Sequence, residues 1–287
     1  MALTETEREA LRIFVAQLQV TVLEAGTMAM TAFRPGERTT AEIRWKEGSS
    51  PVTSMDVAVD RFLATEIARM AMPNEAFARL AYHSEENPET WQGDDTALHI
   101  VVDPIDGTRG FMNGRLDWCI SLGLVWQGEA VAGLIHAPAR GDLFMASAGH
   151  GAFWNGERQR LNRHGATSGF IASGPRGLIE EMARAAGLAP VLAPDIHALA
   201  HRLVRPITGE FGFAFARSGG HDWDLAAADA ILAEAGGAIL DLAGSPPRYA
   251  LDGSVHPALV AGEAIGLRAL IARSHLTDGP QAAKRPA

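Results

Sequence analysis

Ile100–Val101–Val102–Asp103–Pro104–Ile105–Asp106–Gly107–Thr108–Arg109–Gly110–Phe111 carries more chemical information than any other stretch of this chain. Apolar β-branched residues running into Pro and Gly read as a buried strand that ends at a loop. Two aspartates, three residues apart, stand at that end. Placed together they repel unless positive charge lies between them, and a hard divalent cation bound through oxygens meets that need. Pro104 fixes its own φ and biases Asp103 toward extended geometry. Gly107 lets the backbone approach a bound anion, and the Thr108 hydroxyl can orient a water. A plain strand followed by an Asx-rich turn would use the same residues, since Asp-Gly is a common turn signal.

The context is more specific than the stretch. Asp-Pro-Ile-Asp-Gly-Thr-x-x-Phe resembles the signature of the inositol monophosphatase family, the magnesium-dependent, lithium-sensitive phosphomonoesterases. Upstream, Ser84–Glu85–Glu86 is similar to its Gly-Glu-Glu motif. Downstream, His221–Asp222–Trp223–Asp224–Leu225–Ala226–Ala227 and then Glu234–Ala235–Gly236–Gly237 resemble its Trp-Asp-x-Ala-Ala…Glu-Ala-Gly-Gly motif. The three motifs stand in the family's order and span most of the chain.

The resemblance implies an α+β fold, a layered α-β-α-β-α sandwich of the inositol monophosphatase/fructose-1,6-bisphosphatase type. It implies a homodimer and a small phosphorylated substrate. It also implies two Mg²⁺ ions, with Mn²⁺ as a substitute. Glu86, Asp103 and the main-chain carbonyl of Ile105 would hold one cation. Asp103, Asp106 and Asp224 would hold the second, with Asp103 bridging. Oxygen donors without a cysteine cluster or a usable histidine pair independently select Mg²⁺ or Mn²⁺ over zinc. Asp224 is also an acid at a helix start, where the dipole favours it without any metal.

Thr108 resembles the family threonine that helps activate the attacking water, with Glu85 as its expected carboxylate partner. It could equally cap a helical turn. Backbone N–H groups of Gly107, Thr108 and Arg109 at a helix start would bind the substrate phosphate. Asp106, Gly107, Thr108, Arg109, Arg217 and Asp224 are the expected substrate contacts. Asp56 lies in Thr53–Ser54–Met55–Asp56, similar to the family's Thr-x-x-Asp segment, and is expected to buttress or to cap a helix. Lys46 stands where the family has a loop lysine near a third, weaker metal, and a solvated surface lysine is the competing expectation. His83, His99, His136 and His221 do not recur at metal-ligand spacing, and only His221 is expected near the site, as a supporting residue.

At 287 residues and 30.5 kDa, with 47% hydrophobic residues, the chain can bury a substantial core as one large domain or two fused lobes. A formal charge of -9 argues against a nucleic-acid polymer as partner. The single cysteine, Cys119, cannot form an intramolecular disulfide and is expected to pack as a small hydrophobe in a reducing compartment. The first ten residues lack an apolar core, predicting no signal peptide. No uninterrupted apolar run reaches the length of a membrane span, so no membrane contact and a cytoplasmic location are expected.

Hydrophobic periodicity predicts helices over 4–32 and from Thr53 or Ser54 to about 72, then an irregular stretch over 76–97. Strands are expected at 99–102, 118–126, 130–137, 143–146 and 151–154, with tight turns at Gln127–Gly128–Glu129 and Asn155–Gly156. A second region carries strands at 170–173, 211–216, 238–242 and 259–261, with helices at 178–186, 197–203, 224–235 and 264–272. This divides the chain into lobes 1–165 and 166–277, with a polar tail over 278–287.

The substrate is suggested by two arginines. Arg109 follows Gly-Thr where inositol-preferring members carry a small polar residue, and Arg217 stands where they carry a hydroxyl-binding glutamate. Arginine prefers a second phosphate or carboxylate. The run therefore resembles the bacterial 3'(2'),5'-bisphosphate nucleotidase branch most. An inositol-1-monophosphatase and a histidinol-phosphatase, whose branch shares the arginine after Gly-Thr, are the alternatives. So is a catalytically silent regulator that binds a phosphorylated ligand. The competing expectation for Arg217 is that it points to solvent or forms a surface pair with Asp222. The family's Gly/Ala-Ser substrate segment is not clearly present at 195–200.

Overall fold

The computed structural model describes residues 3–46, 50–70, 77, 79–87, 97–161 and 170–277. Among them, five layers alternate as expected. Helices α1 (Glu5–Met30) and α2 (Ser54–Ala68) cover one face of a seven-stranded sheet. That sheet runs β3 (Leu80–Ser84), β4 (Leu98–Asp106), β5 (Cys119–Trp126), β6 (Glu129–Ala137), β7 (Asp142–Ser147), β8 (Gly151–Trp154), β9 (Glu157–Gln159), in spatial order. A short hairpin, β1 (Ile43–Trp45) and β2 (Pro51–Thr53), precedes α2.

The middle layer is α5 (Leu199–Val204) with α6 (Asp222–Glu234). Beyond it lies a five-stranded sheet of β11 (Pro190–Leu192), β10 (Phe170–Ser173), β12 (Phe213–Ala216), β14 (Leu259–Glu263) and β13 (Gly237–Asp241), in that order. Helices α4 (Arg176–Ala185) and α7 (Ala264–Thr277) close the outer face. Strand alternation makes both faces of the larger sheet work. Ile100 and Val102 point toward α1 and α2, whereas Val101 points toward α5 and α6.

Several local expectations change. Strand β4 does not stop at Val102 but runs through both aspartates to Asp106. Its pairing with β5 is irregular between Asp103 and Asp106, and such a break in the ladder is where a strand tolerates proline. Strand β3 lies inside the stretch read as irregular and pairs in parallel with β4. Its apolar signal is only five residues long and interrupted by His83, too short to separate strand from loop. Strand β11 was likewise not expected. Helix α6 starts at Asp222 with His221 as N-cap, so Asp224 is its third residue and not its first. The expected lobe boundary, the expected end of α2 and the polar tail lie outside the described residues.

Helix α1 opens with a capping box in which Thr4 and Glu7 satisfy each other's backbone amides. It is long and apolar enough to cross a membrane by length and composition. Its buried stripe of Leu11, Phe14, Val15, Leu18 and Val22 packs against the large sheet, the behaviour of a core helix.

Helix α6 sits unusually close to the sheet. Gly123 of β5 and Gly133 of β6 are cross-strand partners. A Cβ built on Gly123 would lie 2.5 Å from the Ala226 Cβ, and one on Gly133 would lie 2.4 Å from the Ala227 carbonyl oxygen. Gly133 therefore meets α6 backbone to backbone, and only the Ala226 methyl stands beside Gly123. Gly133→Ala should destabilise the protein by about 2 kcal/mol through overpacking, lowering the thermal midpoint by roughly 5 °C. A melt indistinguishable from wild type would show that α6 can shift without cost.

Candidate active site

The irregular end of β4, the start of α3 (Thr108–Met112) and the first turn of α6 converge on one point. Carboxylate oxygens of Asp103, Asp106 and Asp224 lie within 4.8 Å of one another. Each is anchored by backbone. Asp103 Oδ1 accepts the Ile105 N–H at 3.0 Å, and Asp224 Oδ2 accepts that of His221 at 2.7 Å. Asp106 takes the N–H groups of Leu199 and Ala200, the first two residues of α5, at 2.9 and 2.7 Å. The buried Cys119 thiol also lies 3.6 Å from Asp106, so this cysteine touches the site as well as filling the core.

Burial pushes the Asp103 carboxyl well above the usual range, helped by the charges of Glu85 and Asp106. Burial does the same to Asp224, with Asp106 adding to it. For Asp106 burial is partly offset by its two backbone donors, leaving it at about 6. Three clustered carboxylates with purely oxygen donors, two of them buried, fit a hard divalent cation that would neutralise their mutual repulsion.

The remaining expected groups fall differently. Glu86 is held by the Lys46 ammonium at 2.8 Å, and Glu85 by the same ammonium at 3.2 Å. Lys46 is thus no solvated surface lysine. Burial lifts Glu86 to about 7 despite this partner. The Ile105 carbonyl accepts the Thr108 hydroxyl at 3.1 Å.

The carboxylate partner of Thr108 is Asp56 at 3.1 Å, not Glu85. Lys46 draws Glu85 away, while the cap of α2 faces α3. Asp56 gives Oδ2 to the Thr53 amide and hydroxyl, which leaves Oδ1 for Thr108. Burial raises Asp56 to about 6, against the opposing bonds from Thr53 and Thr108. The Thr-x-x-Asp spacing was the visible signal, but a capping box accounted for it locally. Only the packing of α2 against the site reveals the second bond.

Gly107, with φ +84°, starts α3 and packs against Ala198 just before α5. Phe111 of the same motif is buried against Phe33 and Trp118 and pins α3 to the core. Arg109 is exposed, its guanidinium carbon 5.6 Å from the Trp45 ring centre. Arg217 is exposed after β12 and makes no ion pair among the described residues. Of the two competing expectations for Arg217, exposure to solvent is seen, and no Arg217–Asp222 pair occurs among the described residues. Asp222 is buried and binds His256 Nε2 at 2.6 Å and the Leu251 N–H at 2.9 Å. His221 does stand at the site, its ring stacked on Trp223. His83 and His99, far apart in sequence, meet on parallel strands with ring nitrogens 2.8 Å apart.

With this geometry in place, comparison with known proteins is informative. A profile of the inositol monophosphatase family matches residues 11–274. The chain is 28% identical over 268 residues to the 3'(2'),5'-bisphosphate nucleotidase CysQ of Aggregatibacter actinomycetemcomitans, covering 87% of this chain and 94% of that protein. It is 30% identical over 200 residues to a fructose-1,6-bisphosphatase/inositol-1-monophosphatase of Thermotoga maritima, covering 67% and 72%. The solved structure of an IMPase from Thermotoga maritima superposes with a TM-score of 0.72 at 22% identity, covering 94% of this chain and 98% of that one.

The raised carboxyls have a consequence for stability. Without a cation, the unfolded chain ionises these aspartates near the ordinary value of about 4, and the folded chain only at higher pH. Their contribution to folding is therefore favourable at low pH and lost as pH rises from about 4 through the folded values. In EDTA, Asp103→Asn should melt above wild type, and the gap should widen by a few degrees between pH 5 and pH 8. A gap that stays constant across that range would mean Asp103 is not a suppressed acid.

Proposed function

Because this chain belongs to the inositol monophosphatase family and is a phosphomonoester hydrolase, we propose that the three-aspartate cluster is its reaction centre. It would work with Mg²⁺, two ions in the complete site and a third weaker one near Lys46, with Mn²⁺ able to substitute. Asp103, Asp106 and Asp224 would hold one ion. Glu86, Asp103 and the Ile105 carbonyl would hold the other once Lys46 yields Glu86. A bound cation supplies Lewis-acid charge that makes a coordinated water easier to deprotonate and offsets charge on phosphate oxygens.

The chain's own residues do the rest. Thr108, fixed by Asp56, orients the attacking water through its hydroxyl and hands a proton toward Asp56. At about 6, Asp56 is ionised at neutral pH yet basic enough to accept that proton. The first amides of α3 have no acceptor within their own helix and would take the substrate phosphate. The observation that carries this reading is the convergence of the three carboxylates beside the Asp56–Thr108 pair.

For the substrate we favour a 3'(2'),5'-bisphosphate nucleotide. Exposed Arg109 and exposed Arg217 offer charge for a second phosphate, and the extensive similarity to a CysQ nucleotidase supports the same branch. The enzyme would act in the cytoplasm as a homodimer. Activity should disappear in excess EDTA and return with Mg²⁺. Thr108→Val and Asp56→Asn should each lower kcat by about 10²- to 10⁴-fold while KM moves only a few-fold. Full turnover in either variant would remove the pair from the mechanism.

Arg217→Ala should cut kcat/KM for 3'-phosphoadenosine 5'-phosphate by roughly one to two decades, the worth of one charge-assisted bond. Inositol-1-phosphate should suffer less. Equal proportional losses on the two substrates would show that Arg217 does not read the second phosphate.

A further inference from the structure

The β1–β2 hairpin places an aromatic ring at the rim of the site. Trp45 ends β1 and lies opposite Pro51, two residues before the Thr53 cap that holds Asp56. The next residue, Lys46, reaches inward to Glu85 and Glu86. On its other side Trp45 meets Arg109, the residue after Thr108. Trp45 is thus tied to the site through three neighbours, yet it remains 57% exposed.

A large indole left this open takes no part in the hydrophobic core. Its hydrophobic area and π-face suit a flat ring laid against it. The Arg109 guanidinium lies over the ring at 5.6 Å, within cation–π range, so the contact steadies the indole. Base-on-aromatic stacking tolerates any base, because every base has a π-face.

We propose that Trp45, steadied by Arg109, is a specificity-determining residue that stacks the aromatic base of a nucleotide substrate while the phosphate sits at the aspartates. This rests on the bisphosphate-nucleotide reading of the same site and adds the residue that holds the base. The platform supplies recognition of a heterocycle and leaves the reacting atoms untouched. Its energy should therefore show in KM more than in kcat.

The test compares wild type, Trp45→Phe and Trp45→Ala with Mg²⁺ present on two substrates. One is 3'-phosphoadenosine 5'-phosphate and the other is ribose 3,5-bisphosphate, which keeps both phosphates but lacks the base. The expected result is that Trp45→Ala lowers the nucleotide-to-baseless ratio of kcat/KM about ten-fold, chiefly through KM. Trp45→Phe, which keeps a ring, should lower it less than about two-fold. Equal losses on both substrates in Trp45→Ala would assign Trp45 to holding the hairpin and overturn the proposal. A wild type that takes the two bisphosphates with the same KM overturns it too, while leaving the phosphatase reading intact. A wild type that hydrolyses neither these nor inositol-1-phosphate overturns both.

Discussion

The contact on which the site depends is a meeting of backbones, Gly123 and Gly133 on the sheet against Ala226 and Ala227 on α6. Any larger side chain at these four places would lift the helix outward by the width of the added group, since interiors pack without slack. Asp224 lies in the same helix, one turn nearer its start. Its distance from Asp103 and Asp106, which belong to the sheet, is therefore set by how closely helix and sheet approach. The Ala-Ala pair of the downstream motif is thus a spacing device as much as a helix former.

That spacing forces a local electrostatic conflict which the surrounding fold absorbs. Three carboxylates are drawn together with burial opposing the charge on each. The compensation lies in backbone donors and in a second charged network behind α5. Arg205 is buried and binds Asp142 of β7 at 2.8 Å and also Glu210. Burial would raise Asp142, but bonds from His201 and Trp154 and the Arg205 charge outweigh it and hold the group near 2. The far end of α5 is thereby clamped to the large sheet, and its first two amides are presented to Asp106. A paired charge cluster in one place keeps an unpaired one in register nearby.

How much of this was legible follows from the range over which each signal acts. The layers came through because α1, α6 and the β5–β6 hairpin have long periodic patterns and strong turn residues, Gln127–Gly128 adopting the positive φ that such a turn requires. The three aspartates were readable because the motifs that carry them are local. Strand β3 was missed because parallel pairing with β4 is a non-local contact with no turn to announce it. The partners of Lys46 and the His83–His99 contact were not legible for the same reason. Those partners lie tens of residues or a neighbouring strand away, and spacing along one chain says nothing about that.

Asp56 shows most plainly where sequence reasoning stops. Its role as a helix cap was correct and complete by local rules, since Thr53 and Asp56 satisfy one another. A carboxylate has two oxygens and several acceptor sites, however, and the cap uses only one of its oxygens. Once β2 places the start of α2 against α3, the second oxygen meets Thr108 without disturbing the first. The cap then also fixes the orientation of the Thr108 hydroxyl. The same short hairpin carries Trp45 toward Arg109 and Lys46 to Glu85 and Glu86, so one local element bears on both the Asp56–Thr108 pair and its surroundings. Economy of this kind is expected where a rigid terminus serves both folding and chemistry. A substitution at Thr53 or Asp56 therefore alters the helix cap and the setting of the Thr108 hydroxyl together.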